Sequence, residues 1–162
     1  RITINQIVNN PDAITVNGLE FQIQQRFDFL PGFLRNTGGV FNYTRVRSGG
    51  ANGTKLYNVA NDTYNIIGYY EDSLVQLRMA YNHASEIELA GGSTFTGSAS
   101  RVRPRGQLDF SGALKPSKWL ELRLEVYNIT NSRREEYEGD PRLNRVADFD
   151  GRTGALSVTV KF

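Results

Sequence analysis

The sequence predicts an all-β protein of the transmembrane antiparallel β-barrel class, and three observations support that prediction. Apolar residues recur mostly at a period of two, the period of a β-strand, and hardly anywhere at the spacing of an amphipathic helix. Short links with turn chemistry alternate with long polar connections, as in transmembrane barrels. The polar side of most predicted strands carries charges or amides. No stretch approaches the ~18 consecutive apolar residues that a membrane-spanning helix requires, which excludes a helical membrane protein.

The first four predicted strands lie at roughly residues 1–8, 13–29, 38–47 and 63–70. The second shows its two faces most clearly, because successive side chains of a strand point to opposite sides of a sheet. Its apolar side consists of Leu19, Phe21, Ile23 and Phe27, and its polar side of Glu20, Gln22, Gln24 and Arg26.

The last four predicted strands lie at roughly residues 75–83, 103–114, 120–127 and 152–162. The third of these sets Leu120, Leu122, Leu124 and Val126 against Glu121, Arg123, Glu125 and Tyr127. The final strand sets Leu156, Val158, Val160 and Phe162 against Ser157, Thr159 and Lys161. Strands sorted in this way fit a wall with hydrocarbon on one side and water on the other.

The connections between the predicted strands alternate in length. The short ones contain turn residues such as Pro and Gly, and comprise 30–37, 71–74 and 115–118. The long ones are polar, and comprise 48–62, 84–102 and 129–151. Transmembrane barrels have short turns at one membrane surface and long loops at the other, so this asymmetry favours the barrel.

Charged residues on the polar sides of the strands are predicted to face the interior of the barrel: Glu20, Arg26, Arg78, Asp109, Glu121, Arg123 and Glu125. Opposite charges on neighbouring strands can pair across such a wall. Paired carboxylates could also serve hydrolysis. Charge lining a polar interior is the simpler interpretation.

Three arginines, Arg101, Arg103 and Arg105, share one face of a predicted strand. Guanidinium groups bind phosphate and carboxylate through two parallel hydrogen bonds, so this set could bind a phosphate, an anionic chelate or lipopolysaccharide. It could equally be a solvated loop entry, and the sequence leaves both interpretations open.

Composition excludes several other classes of function. The 19 basic and 17 acidic side chains give a net charge of +2 and form no block of like sign, so no nucleic-acid partner is expected. The chain has no cysteine and a single histidine, His83, which excludes a thiolate or His-rich metal site. No nucleotide-binding glycine motif is present. The sequence therefore predicts no enzyme and no cofactor.

Several short stretches follow one another in a definite order: Asn17-Gly18-Leu19-Glu20, Phe29-Leu30-Pro31-Gly32, Asn42-Tyr43-Thr44, Gly68-Tyr69-Tyr70-Glu71, Tyr81-Asn82, Leu108-Asp109 and Val126-Tyr127-Asn128-Ile129-Thr130-Asn131. In this order and spacing they resemble the C-terminal barrel region of TonB-dependent outer-membrane receptors, from about Val16 to the end. The terminal pattern of Leu156, Val158, Val160 and Phe162 is similar to the signal by which outer-membrane barrels are recognised for insertion.

The resemblance implies that residues 1–162 are a single segment of about eight strands from the end of a 22-stranded barrel, without the plug domain or the segment that contacts TonB. It implies the wall of an active transporter in the bacterial outer membrane, importing a siderophore, cobalamin or a carbohydrate. The implied partners are the plug, the remaining strands, the TonB complex through the missing N-terminal part, the barrel assembly machinery, and outer-membrane lipid with lipopolysaccharide.

Two alternatives remain open at this point. One is a complete eight-stranded barrel with an adhesin or structural role, in which residues 1–8 would pair with 152–162. The other is a soluble β-sandwich binding module, because aromatic residues such as Trp119 near the strand ends suit either a membrane interface or a soluble core.

Overall fold

The computed structural model describes residues 12–91 and 97–162. In these residues the regular structure is almost entirely β. The strands are β1 (Ile14–Arg26), β2 (Thr37–Gly50), β3 (Asp62–Glu71), β4 (Val75–Ala84), β5 (Ile87–Glu88), β6 (Ser100–Val102), β7 (Arg105–Ser117), β8 (Leu120–Tyr127), β9 (Arg134–Glu138), β10 (Asp140–Asp148) and β11 (Thr153–Val160). Two short 3-10 segments occupy Gly32–Asn36 and Ala51–Gly53. The predicted all-β class is therefore confirmed.

Seven strands form one antiparallel sheet in the order β1-β2-β3-β4-β7-β8-β11. These are the predicted strands from residue 13 onwards, and β8 has the predicted bounds. The predicted strand at 1–8 lies outside the described residues. Strands β1 and β11 form the two edges of the sheet, so the described residues make an open part of a barrel wall.

The lengths of the connections distinguish the two ends of this sheet. Short links 27–36, 72–74 and 118–119 lie at one end, here called the short-loop end, and longer stretches begin after β2, β4 and β8 at the other, the long-loop end. At the short-loop end, Asp72 Oδ1 accepts hydrogen bonds from the backbone N–H groups of Leu74 (2.8 Å) and Val75 (2.7 Å). The Tyr70 hydroxyl and these two amides lower the pKa of Asp72 below its usual value. The Asp72 carboxylate thus fixes the tight turn between β3 and β4.

Two of the three predicted loops contain strands, which corrects the sequence prediction. Residues from 84–102 and 129–151 contribute β5, β6, β9 and β10, which form a second sheet in the order β10-β9-β6-β5. Strands β5 and β6 are only two and three residues long. Such short strands show too little alternation for a period to be recognised.

One side of the seven-stranded sheet, here called the apolar face, carries most of its large apolar residues. Directly paired residues share a face, and one row across the sheet joins Ile23, Phe41, Ile66, Tyr81 and Leu108. From that row to Leu120 the apolar residues extend for about 27 Å along the strands, or roughly 20 Å of membrane depth at a typical barrel tilt. This is slightly less than the ~25 Å height of the lipid-facing band of a transmembrane barrel.

The apolar face is uncovered. Phe21 is 52% exposed, Met79 47% and Leu156 75%. Among the apolar residues that the structure describes, only Val102, Ala113 and Tyr137 are buried. No strand of the second sheet packs extensively on the seven-stranded sheet within the described ranges. The arrangement is therefore not a β-sandwich, and a continuous apolar surface of this size requires a covering medium or partner.

Candidate functional site

The face opposite the apolar face is here called the charged face, and the strand register places all seven predicted interior residues on it. One row of directly paired residues runs from Arg26 through Gly38, Tyr69, Arg78 and Ser111 to Glu125. Asp109 pairs with Ala80 in the next row. Glu20 shares the parity of Arg26 on β1, and Glu121 and Arg123 share that of Glu125 on β8.

The charged face is concave. A cavity of about 680 Å³ lies on it, and its lining includes Arg26, Arg78 and Arg123. The ion pair found among the seven residues joins Arg123 Nη2 to Glu121 Oε1 (2.8 Å) along β8. Arg26 and Arg78 form no ion pair with any residue that the structure describes.

A ladder of amides crosses the charged face nearer the long-loop end. Consecutive strands pair Gln22 with Asn42, Asn42 with Asn65, Asn65 with Asn82, and Asn82 with Gln107. Adjacent strands lie ~4.8 Å apart, so the five amides span about 19 Å of the wall. The Asn65 amide donates a hydrogen bond to the Asn82 side-chain oxygen. Strand parity predicts a polar side for Gln22, Asn82 and Gln107, but the register that aligns all five amides was not visible in the sequence.

At Gln107 the amide ladder joins a chain of hydrogen bonds that the sequence did not predict. Arg105 Nη2 donates to Gln107 Oε1 (2.8 Å), and Gln107 Nε2 donates to Asp109 Oδ1 (2.9 Å). Asp109 Oδ1 also accepts the backbone N–H of Asn128 at 2.8 Å. Asp109, which the sequence offered with Glu121 and Glu125 as carboxylates that could pair for hydrolysis, thus holds the backbone directly after β8. Glu121 lies at the opposite end of the sheet, about 20 Å away along the strand.

Asn128 fixes the chain directly after β8, at the point where the chain leaves the seven-stranded sheet. It is 5% exposed and has a positive φ of 57°, a left-handed conformation that Asn tolerates better than most residues. Its side-chain amide donates to the carbonyl oxygens of Ser132 (3.0 Å) and Gly151 (2.8 Å), and its side-chain oxygen accepts the N–H of Ser132 (2.7 Å). These bonds tie the start and the end of the β9–β10 segment together.

Charged and phenolic groups hold the second sheet together. Lys55 Nζ lies 2.8 Å from Glu88, and Arg101 pairs with both Glu86 (3.5 Å) and Glu88 (3.4 Å). The Tyr137 hydroxyl donates to Glu86. The hydrogen bond from Lys55 lowers the pKa of Glu88, and the hydrogen bond to Glu86 raises that of Tyr137. This network joins the segment after β2 with β5, β6 and β9 at the long-loop end.

The sequence left open whether Arg101, Arg103 and Arg105 form one anion-binding set. In the structure these three arginines make different contacts. Arg101 belongs to the network just described, and Arg103 pairs with Glu135 at 3.3 Å. Arg103 and Arg105 line a second cavity of about 640 Å³ at the long-loop end, together with Arg134, Asn82 and Gln107. The cavity connects the amide ladder with the second sheet.

The predicted assembly residues occupy the last strand and the chain end. Leu156 and Val158 pair directly with Leu124 and Leu122, which places them on the apolar face, and Val160 pairs with Leu120. Phe162 follows β11 and is fully exposed. The alternation expected of this segment is therefore present in the strand.

His83 lies next to the end of β4, where its ring stacks on Tyr64 with centroids 4.6 Å apart. No group of three or more His, Cys, Asp or Glu residues within 12–91 and 97–162 is arranged to hold a metal ion. Nor does any helix among these residues have the length and apolarity needed to cross a membrane.

Comparison with known families identifies a matching family. The model of the TonB-dependent receptor-like β-barrel matches residues 2–129, well over half of the chain. No curated protein and no solved structure matches the chain. The strand order, the separation of the two faces and this match agree with one another, and the chain belongs to the TonB-dependent receptor β-barrel family.

Proposed function

We propose that this chain forms part of the wall of an outer-membrane active transporter, which binds a scarce nutrient and imports it with TonB-coupled energy. Members of the family are outer-membrane transporters rather than enzymes. The observation that carries the proposal is one sheet with an uncovered apolar face and a concave charged face. Lipid would cover the first, and the plug and the ligand path would meet the second. The family match favours this wall over a complete small barrel, and the uncovered apolar face favours it over a soluble β-sandwich.

The proposal gives each part of the wall a role. The short-loop end faces the periplasm and the long-loop end faces outside, as in other outer-membrane barrels. The seven charged-face residues line the lumen, and Leu156, Val158, Val160 and Phe162 form the signal for the barrel assembly machinery. Ligand contacts come from 48–62, 84–102 and 129–151 and from the second cavity. Its arginines and amides suit a ligand rich in hydroxyl or anionic groups.

Uptake measurements in the native host test this function. A strain lacking the full-length receptor is given a labelled ferric siderophore, cobalamin or an oligosaccharide. We expect uptake of one class to be lost, to return with the wild-type gene, and to vanish again without TonB or with a protonophore. Uptake of all three that is independent of the receptor, or uptake that persists without TonB, would contradict the proposal.

Variants of the charged face refine the same experiment. Asn82→Ala combined with Gln107→Ala removes two amides of the ladder beside the second cavity, so uptake should fall while TonB dependence remains. Ser157→Ala combined with Thr159→Ala changes the same face at the short-loop end and is the matched control.

A further inference from the structure

Two arginines near the long-loop end of β2 lie on the apolar face instead of the charged face. Arg45 pairs directly with Leu19 on β1 and Asp62 on β3, and Arg47 pairs with Asn17. Strand alternation puts both on the side of Phe41 and Tyr43. Their side chains are 49% and 45% exposed. A barrel wall thus carries two cations on the side that its apolar residues turn towards lipid.

An aromatic row on the apolar face indicates the depth of these arginines relative to the membrane. Tyr43 pairs with Tyr64, which pairs with His83, and the last two rings stack. Amphipathic rings of this kind lie at the water–lipid interface. Arg45 and Arg47 follow Tyr43 by two and four residues, or about 7 and 13 Å along the strand. Their guanidinium groups therefore lie at the level of lipid headgroups, directly beyond the hydrocarbon.

The charge of this cluster is unbalanced. Asp62 is its acidic member, with Arg45 Nε 3.7 Å from Oδ1 and Arg47 Nη2 3.3 Å from Oδ2. The Tyr43 hydroxyl also donates to Asp62 Oδ1, at 2.6 Å. Two cations thus share one carboxylate that a phenol already occupies. Each guanidinium has five N–H donors, and the bonds of Arg47 to Asp62 and to the Val46 carbonyl use three of them.

Two hydrogen bonds to Ser85 hold the backbone of Asp62, the acidic member of the cluster. The Asp62 backbone N–H donates to Ser85 Oγ at 3.0 Å, and the Ser85 N–H donates to the Asp62 carbonyl at 2.9 Å. These bonds join the starts of β3 and of the segment after β4. The carboxylate of Asp62, on a backbone anchored in this way, contacts both arginines.

We propose that Arg45 and Arg47 form a binding site for the phosphate-bearing headgroup of an outer-leaflet membrane lipid. A guanidinium matches a phosphate through two parallel hydrogen bonds, and the net positive charge complements that anion. The acyl chains would lie along the apolar row of Ile23 and Phe41. The inference rests on the proposed function, because it requires the apolar face to meet the membrane.

Lipid binding by the full-length receptor tests the site. The receptor is placed in nanodiscs containing bis-phosphorylated lipid A or its dephosphorylated form, and the retained lipid is counted by native mass spectrometry. Arg45→Gln with Arg47→Gln should reduce retention of the phosphorylated form about tenfold, since each basic residue near an anionic surface changes affinity several-fold. Retention of dephosphorylated lipid A by the wild type should be equally low.

Two further variants separate the possible failures. Arg45→Lys with Arg47→Lys keeps both charges but loses the paired N–H groups, so its lipid retention should lie between that of the wild type and that of the glutamine variant, which controls for loss of folding. Arg78→Gln with Arg123→Gln makes the same charge change on the charged face and should leave lipid retention unchanged. Unchanged retention in the Arg45 and Arg47 glutamine variant, or equal retention of both lipids by the wild type, overturns the site alone. A loss confined to the Arg78 and Arg123 variant overturns the face assignment and the transporter wall with it.

Discussion

Leu77→Arg is expected to destabilise the folded full-length receptor in a lipid bilayer by about 2–4 kcal/mol, the cost of placing Arg on the lipid side near the middle of a barrel. Leu77 lies on the apolar face, where it pairs with Tyr70 and Gly112, and it is 43% exposed. A bilayer would surround this side chain with hydrocarbon. The free energy of unfolding is measured by urea titration in vesicles, with heat-modifiable migration as the readout.

The neighbouring residue on the same strand supplies the control. Gln76 points to the charged face and donates a hydrogen bond to Glu71 Oε1 at 2.9 Å, so an arginine there has a carboxylate partner. Gln76→Arg is expected to change the free energy of unfolding by less than about 0.5 kcal/mol. Equal losses at the two positions, or a loss only at Gln76, would contradict the assignment of the faces.

Asn128→Ala is expected to destabilise the junction after β8, where the chain leaves the sheet, by about 3–4 kcal/mol. The substitution removes three side-chain hydrogen bonds to Ser132 and Gly151 and leaves partly buried backbone groups without these partners. It also places alanine in a left-handed conformation, which adds roughly 1 kcal/mol. We expect proteases to cleave the variant faster within residues 129–151. Limited proteolysis with mass spectrometry of the fragments measures this rate.

Asn131 offers a matched control for this substitution. It has a similar positive φ of 50°, but within the described ranges its side chain makes no hydrogen bond. Asn131→Ala should therefore show only the cost of the backbone conformation, about 1 kcal/mol. Asn128→Gly relieves the conformation without restoring the bonds and should fall between the two alanine variants. Equal protease sensitivity of the two alanine variants would show that the Asn128 side chain does not fix this junction.

The sequence predicted the strands of the wall well because a wall between two different media imposes strict alternation. Residues 120–127 were predicted with the bounds that β8 has, since every second residue there is aliphatic. Residues 13–29 were predicted too long, because β1 ends at Arg26. Phe27 and Phe29 continue the parity of the strand into a turn in which the Leu30 N–H bonds to the Phe27 carbonyl. Apolar rings at an interface thus extend the pattern beyond the strand itself.

The long-loop end was harder to predict for a physical reason. Strands β9 and β10 lie beyond the apolar rows. Neither of their sides meets an apolar medium, so their sequence needs no alternation of apolar and polar side chains. Ion pairs such as Arg134 with Asp148 (3.1 Å) hold them instead. Pairing of β6 with β9 joins residues far apart in sequence, and local patterns carry no record of it. The amide ladder and the outward arginines depend in the same way on register, which parity alone does not fix.

The most direct test of the whole account is a comparison of spin labels at two neighbouring rows of one strand pair. Leu122 pairs with Val158 on the apolar face, and Arg123 pairs with Ser157 on the charged face. The sequence contains no cysteine, so each single-cysteine variant carries one label in this chain. In native-like bilayers, labels at Leu122 and Val158 should collide with oxygen and be shielded from a water-soluble nickel chelate, and labels at Arg123 and Ser157 should not show that lipid signature. Water-like accessibility at Leu122 and Val158 would contradict the membrane-wall assignment.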